Sequence, residues 1–158
     1  MGRRVLLMID MQKGFIQKPT EKAVQFVEQL LQKERFDLII QSRWENYMGS
    51  RYEEDLGYQA VGNSSETEMC FPNHTDHVIT RTCYSCWGEK FKRLLREDDE
   101  IFVVGVETDA CVMATLFSLW DNNFRFKVYE KGTGTNRRGL QGPAIEMIKR
   151  QFGKECVI

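Results

Sequence analysis

The chain is predicted to fold as an α/β domain with a mostly parallel sheet sandwiched between helical layers. Three observations carry that expectation. Two unbroken apolar runs, at residues 5–9 and 101–106, read as strands buried on both faces. Apolar residues at helical spacing follow each run. Strand and helix patterns then alternate along the whole chain.

The first strand, VLLMI, ends at Asp10. A helix is predicted from Thr20, with Ala23, Val24, Val27, Leu30 and Leu31 on one face. Thr20 is its expected N-cap, and Glu21 lies where the helix dipole favours an acid. Residues 36–41 give the second strand. Residues 42–76 are polar and glycine-interrupted, and read as a short helix at 50–56 followed by a covering loop. The third strand is expected at 77–81 and a helix at 87–95, with Trp87, Phe91, Leu94 and Leu95 along one side. The fourth strand at 101–106 precedes a helix at 109–121 that Asn122-Asn123 end. The fifth strand is expected at 124–129, then a Gly132-Thr133-Gly134-Thr135 loop, a helix at 143–152 and a sixth strand at 155–158.

At 158 residues the chain has the length of one ordinary domain, taken here as 1–158, with 42% apolar and 28% charged residues. A net charge of −1 gives no reason to expect nucleic acid or a membrane surface as partner. No apolar run approaches the ~18 residues of a membrane span. Asp10 interrupts the N-terminal apolar run, which argues against a signal peptide. Five cysteines at low density suggest free thiols, so a cytoplasmic location is expected.

Cys111 is the first candidate for chemistry. Thr108 or Asp109 is placed to cap the helix, which sets Cys111 in the first turn, where the dipole lowers a thiol's pKa. A small buried hydrophobe is an equal reading of that position. Asp10 ends a central strand at the edge where parallel sheets bind ligands, and a helix cap is its structural alternative. Arg81 ends the third strand at the same edge, where it would favour a thiolate and orient Asp10. The convergence of three strand ends on one rim is more informative than any one residue.

The segment VLLMIDMQKGF at residues 5–15 resembles the opening strand and loop of the isochorismatase-like cysteine hydrolases. VGVETDACVMAT, at residues 104–115, is similar to their nucleophile segment, and ITRTCYSCW at 79–87 falls where the family's lysine-bearing strand belongs. The resemblance implies a Rossmann-like three-layer α/β/α fold with a six-stranded sheet in the order 3-2-1-4-5-6. Asp10, Arg81 and Cys111 would be the catalytic residues. A cis bond between Val106 and Glu107 is implied, with the N–H groups of Glu107 and Cys111 forming an oxyanion hole. Phe15, Arg43, Trp44 and Tyr84 are expected to line the substrate pocket, and Tyr47 and Tyr52 are nearby aromatic candidates. The implied activity is hydrolysis of a small amide or related carbonyl compound through a thioester, without a cofactor, in a homo-oligomer.

Two departures from the family pattern matter. Arg81 stands where the family has lysine; it keeps the charge but cannot supply a neutral amine. A non-catalytic small-molecule-binding protein is therefore the alternative. The Asp-x-His metal motif of nicotinamidases is missing from Gln41-Ser42-Arg43-Trp44-Glu45-Asn46, so no metal is expected. A third reading takes Cys70, His74, His77, Cys83 and Cys86 as zinc ligands of an interaction module.

Overall fold

The computed structural model describes residues 2–158. Five strands, β1 (Arg4–Ile9), β2 (Leu38–Trp44), β3 (His77–Arg81), β4 (Glu100–Val106) and β5 (Arg125–Gly134), form one sheet in the order β3-β2-β1-β4-β5. All four pairings are parallel. The helices are α1 (Glu21–Lys33), α2 (Arg51–Leu56), α3 (Ser64–Thr67), α4 (Glu89–Lys92), α5 (Met113–Asp121) and α6 (Gln141–Phe152).

β1 explains the layering. Val5, Leu7 and Ile9 pack into a core with Phe91 of α4, Leu116 and Leu119 of α5, and Ile145 and Ile148 of α6. Leu6 and Met8 point the other way, onto Ala23, Val27 and Leu30 of α1. A strand covered on both faces needs apolar residues at every position, which is why VLLMI does not alternate. The result is three layers, helix on sheet on helix. No helix among the described residues is long and apolar enough to cross a membrane.

The sixth strand is reduced to a single parallel bridge, Val128 to Val157. Gly153 leaves α6 at φ 90° and a 3-10 turn takes up Lys154–Cys156. Only Val157 and Ile158 then remain beside β5, where Ile158 N–H donates to the Val128 carbonyl (2.9 Å) and its own carbonyl accepts from Glu130 (2.9 Å).

β5, by contrast, runs through the expected glycine loop. A Cβ at Gly132 would lie 2.6 Å from Val104 Cγ1, so glycine here permits close approach to β4. The register between β4 and β5 shifts between Val103 and Gly105, leaving extra β5 residues as a bulge. Gly105 itself has φ 141°, and a Cβ there would meet the Ile9 carbonyl oxygen at 2.3 Å. The close contact keeps the ends of β1 and β4 side by side.

Two helical expectations also change. The predicted helix at 87–95 contracts to α4, and Trp87 packs from the irregular segment before it, against Phe91 and Phe124. Thr20 does not cap α1; its hydroxyl instead accepts from Gln17 N–H (2.9 Å) within the preceding turn.

Candidate functional site

Asp10 lies immediately after β1 with φ 50°, a left-handed conformation uncommon outside glycine. Its side chain is wholly buried. Ser42, on the neighbouring strand, donates to Oδ1 (2.6 Å) and receives the Asp10 N–H (3.1 Å). Arg81 pairs both of its terminal nitrogens with the carboxylate, Nη1 to Oδ1 at 3.0 Å and Nη2 to Oδ2 at 2.9 Å. Nη2 also donates to the Tyr84 carbonyl (2.8 Å), while Nε has no partner. Such a fork-to-fork pair fixes orientation as well as charge, and it is nearly sealed from solvent. Burial alone would lower the Arg81 pKa, but it is outweighed, and the paired Asp10 carboxylate helps to hold the guanidinium charged.

The segment Thr108–Val112 forms a π-type turn at the end of β4, and α5 continues from it. Ala110 and Val112 both donate to the Glu107 carbonyl, at 3.1 and 3.2 Å. Thr108 and Asp109 do not cap the helix; the Thr108 hydroxyl donates to Gln141 Oε1 (2.8 Å). The Val106–Glu107 peptide bond is cis. Cys111 is 7% exposed and faces a cavity of about 710 Å³ at the carboxyl edge of the sheet.

The thiol's environment corrects one expectation. Burial pushes the Cys111 pKa well above the usual thiol range, and Asp10 raises it further as a charge and as a hydrogen-bond acceptor. Arg81 opposes them without prevailing. The shift is thus toward the neutral thiol, opposite in direction to the one that a helix-dipole argument gives.

Several polar residues that support this arrangement carry no motif of their own. Gln12 accepts the Trp44 N–H (2.7 Å) and donates to the Trp44 carbonyl (2.9 Å), extending the sheet's edge with an amide. Thr115 donates to the Cys111 carbonyl (2.8 Å) and accepts from Cys86 N–H (3.1 Å), tying α5 to the segment after β3. Asn136 binds the Glu107 carboxylate through its backbone and side-chain nitrogens (2.6 and 2.5 Å). It also donates to the Phe15 carbonyl (2.7 Å), so one residue joins two walls of the cavity. Burial raises the Glu107 pKa, against the opposing pull of these Asn136 hydrogen bonds and one from Thr135.

The cavity brings together Phe15, Trp44, Tyr52, Tyr84, Glu107 and Cys111, whereas Asp10 and Arg81 are buried outside its lining, close enough to act on the Cys111 thiol. Tyr58, also in its wall, has a pKa pushed up to about 12 by burial and by nearby acids. Arg43 does not line it. β2 continues three residues beyond its predicted end, so Arg43 alternates onto the face opposite Ser42 and Trp44 and pairs with Glu45 (3.0 Å). Tyr47 is 56% exposed and outside the cavity as well. Strand alternation was the signal available for both Ser42 and Arg43, had β2 been extended.

The zinc reading fails on placement. Among the described residues no three His, Cys, Asp or Glu side chains converge as a metal site. Cys86 is buried in the core under α5 and Cys70 packs with the core under α1, on the other side of the sheet.

A family model for the isochorismatase domain matches residues 4–156. No curated protein matches the chain. Among solved structures, an isochorismatase-like hydrolase from Alkaliphilus metalliredigens is 14% identical with a TM-score of 0.81, over 94% of this chain and 92% of that one. A cysteine hydrolase from Pseudomonas syringae pv. phaseolicola is 19% identical with a TM-score of 0.79, over 96% and 86%. An N-carbamoylsarcosine amidase from Thermoplasma acidophilum is 17% identical with a TM-score of 0.76, over 96% and 93%. These likenesses establish the same three-layer fold.

Proposed function

The chain belongs to the isochorismatase domain family, and on that premise we propose that it hydrolyses a small amide or related C–N compound with Cys111 as nucleophile. The observation that carries this reading is that Cys111 lines an aromatic cavity while the buried Asp10 carboxylate lies close enough to act on its thiol. Structural relatives named for amidase and cysteine hydrolase activity are consistent with it.

The raised thiol pKa gives the order of events. Cys111 attacks as its proton passes to Asp10, so the sulfur gains charge only while bonding to the carbonyl carbon. The N–H groups of Glu107 and Cys111 receive the developing oxyanion. Collapse breaks the C–N bond, and Asp10 returns the proton to the departing amine, leaving a thioester on Cys111. Water then attacks the thioester, with Asp10 again taking its proton. The acid product departs and the thiol is restored. Ser42 and Arg81 hold Asp10 in position throughout. A soluble cytoplasmic homo-oligomer remains the proposed setting.

A second reading is favoured by one observation: the bidentate Arg81 pair engages both oxygens of the proposed base. Here the chain binds a small molecule without turning it over. Amine release from a panel of small amides separates the two. Sustained release above background supports the hydrolase. A ligand recovered unchanged, with no release from any amide, supports the binding protein.

A further inference from the structure

The cavity beside Cys111 is walled by aromatic rings and carries more acid than base. Six of its lining residues are aromatic: Phe15, Trp44, Tyr52, Tyr58, Tyr84 and Phe117. Trp44 meets Tyr52 edge to face, and Tyr52 meets Tyr84 likewise, with ring centroids 5.0 Å apart in both pairs. Rings set near right angles bound a space from more than one side, as in the cages that hold quaternary ammonium groups. Among the described residues, the cations lying over rings are Arg4 and Lys92. Their rings, Phe36, Phe102 and Trp87, are outside the cavity.

The charges of the lining point the same way. It holds two acids, Glu107 and Asp109, and one cation, Arg137. Among the described residues, no ion pair engages either acid. Glu107 is half-buried, whereas Asp109 and Arg137 are exposed. A charge shielded from water acts more strongly than one screened by solvent at the rim. Burial and Asp109 both disfavour the Glu107 charge, and the groups that oppose them are neutral donors, Asn136 and Thr135. A bound cation is the partner that this carboxylate lacks.

We propose that the cavity selects small amides carrying an alkylated ammonium group, held by its aromatic walls and by Glu107 and Asp109 while the carbonyl meets Cys111. This names a substrate class for the proposed function and rests on that reading only for where the carbonyl sits. Alkylation suits the walls, because ring faces attract the charge while N-methyl groups pack against them.

The test is equilibrium binding to Cys111→Ala protein, where chemistry cannot intervene. Three probes of similar shape differ in charge: trimethylglycinamide is cationic, 3,3-dimethylbutanamide neutral and sulfoacetamide anionic. The cation is expected to bind about tenfold more tightly than the neutral probe, and the anion most weakly. Glu107→Gln, Asp109→Asn and Tyr84→Leu should each narrow that preference, with retained binding of the neutral probe reporting an intact pocket. Asp109 is exposed, so its substitution keeps the test sound if Glu107→Gln disturbs the Asn136 contacts. Four results overturn the proposal: no binding of the cation, a neutral probe bound as tightly, an anion bound most tightly, or a preference unchanged in all three variants. Ammonia release by the wild type separates the two readings. Preferred binding of the cation without its hydrolysis would refute the hydrolase alone. Hydrolysis confined to uncharged amides would refute the cation preference alone.

Discussion

Cys111→Ala is expected to lower kcat/KM toward any substrate of the wild-type protein by about 10⁴-fold or more, the scale seen when a covalent nucleophile is removed. The fold should survive, because the side chain is small and its removal leaves the Asp10–Arg81 pair intact. Binding should therefore persist where turnover does not. Iodoacetamide labelling gives a second readout. Burial and Asp10 hold the thiol protonated, so wild-type Cys111 should alkylate slowly at neutral pH and faster as pH rises, with a midpoint above the ~8.5 of a free cysteine. The same shift has a stability sign. Folding favours the neutral thiol, so its contribution is full below the unfolded pKa and is lost as pH rises through the folded value. Cys111→Ala should accordingly lose less stability on the alkaline side than the wild type.

Arg81→Ala carries the largest expected stability effect. It strips a wholly buried carboxylate of two charge-assisted hydrogen bonds and of its salt-bridge partner. Breaking a buried pair from one side costs about 3–5 kcal/mol, which for a domain of this size lowers Tm by roughly 6–20 °C. Loss of under ~1 kcal/mol in a denaturant titration would show that Asp10 does not depend on Arg81. Arg81→Lys separates structure from chemistry. Lysine keeps the charge but cannot make two parallel contacts, so stability should fall between the wild type and Arg81→Ala. If the wild type turns over amides, Arg81→Lys should remain active. Activity that appears only in Arg81→Lys would identify the arginine as the feature that silences the site.

The parts of the fold that could be read from sequence were those in which one signal dominates. Residues 5–9 and 101–106 are apolar at every position because both faces of β1 and β4 are covered, and nothing local competes. The end of β2 was hidden because its interior residues are polar for a long-range reason. Ser42 is buried to hold Asp10, 32 residues away, so the strand looks like a loop. β5 was cut short because Gly132 and Gly134 resemble turn residues, whereas Gly132 is there for contact with Val104. The sixth strand failed for the opposite reason, an apolar ending that a 3-10 turn largely consumes.

The site divides similarly. Asp10, Arg81 and Cys111 lie at strand ends on one edge, where topology alone brings them together. Asn136 joins Glu107 and Phe15 across 29 and 121 residues, a role no local pattern announces. Gln12 is equally silent, since its function is to complete the backbone pairing of Trp44. The resting protonation of Cys111 depended on three-dimensional burial, which the position of a cysteine near a helix start does not reveal.

The most direct test of the nucleophile is the mass of the protein itself. Wild-type protein mixed with a turned-over amide and quenched in acid within the first turnovers should carry one acyl group, released by hydroxylamine and mapped by peptide sequencing to Cys111. An unmodified Cys111 under those conditions, while amine is still being released, or an acyl group on another residue, would contradict the account.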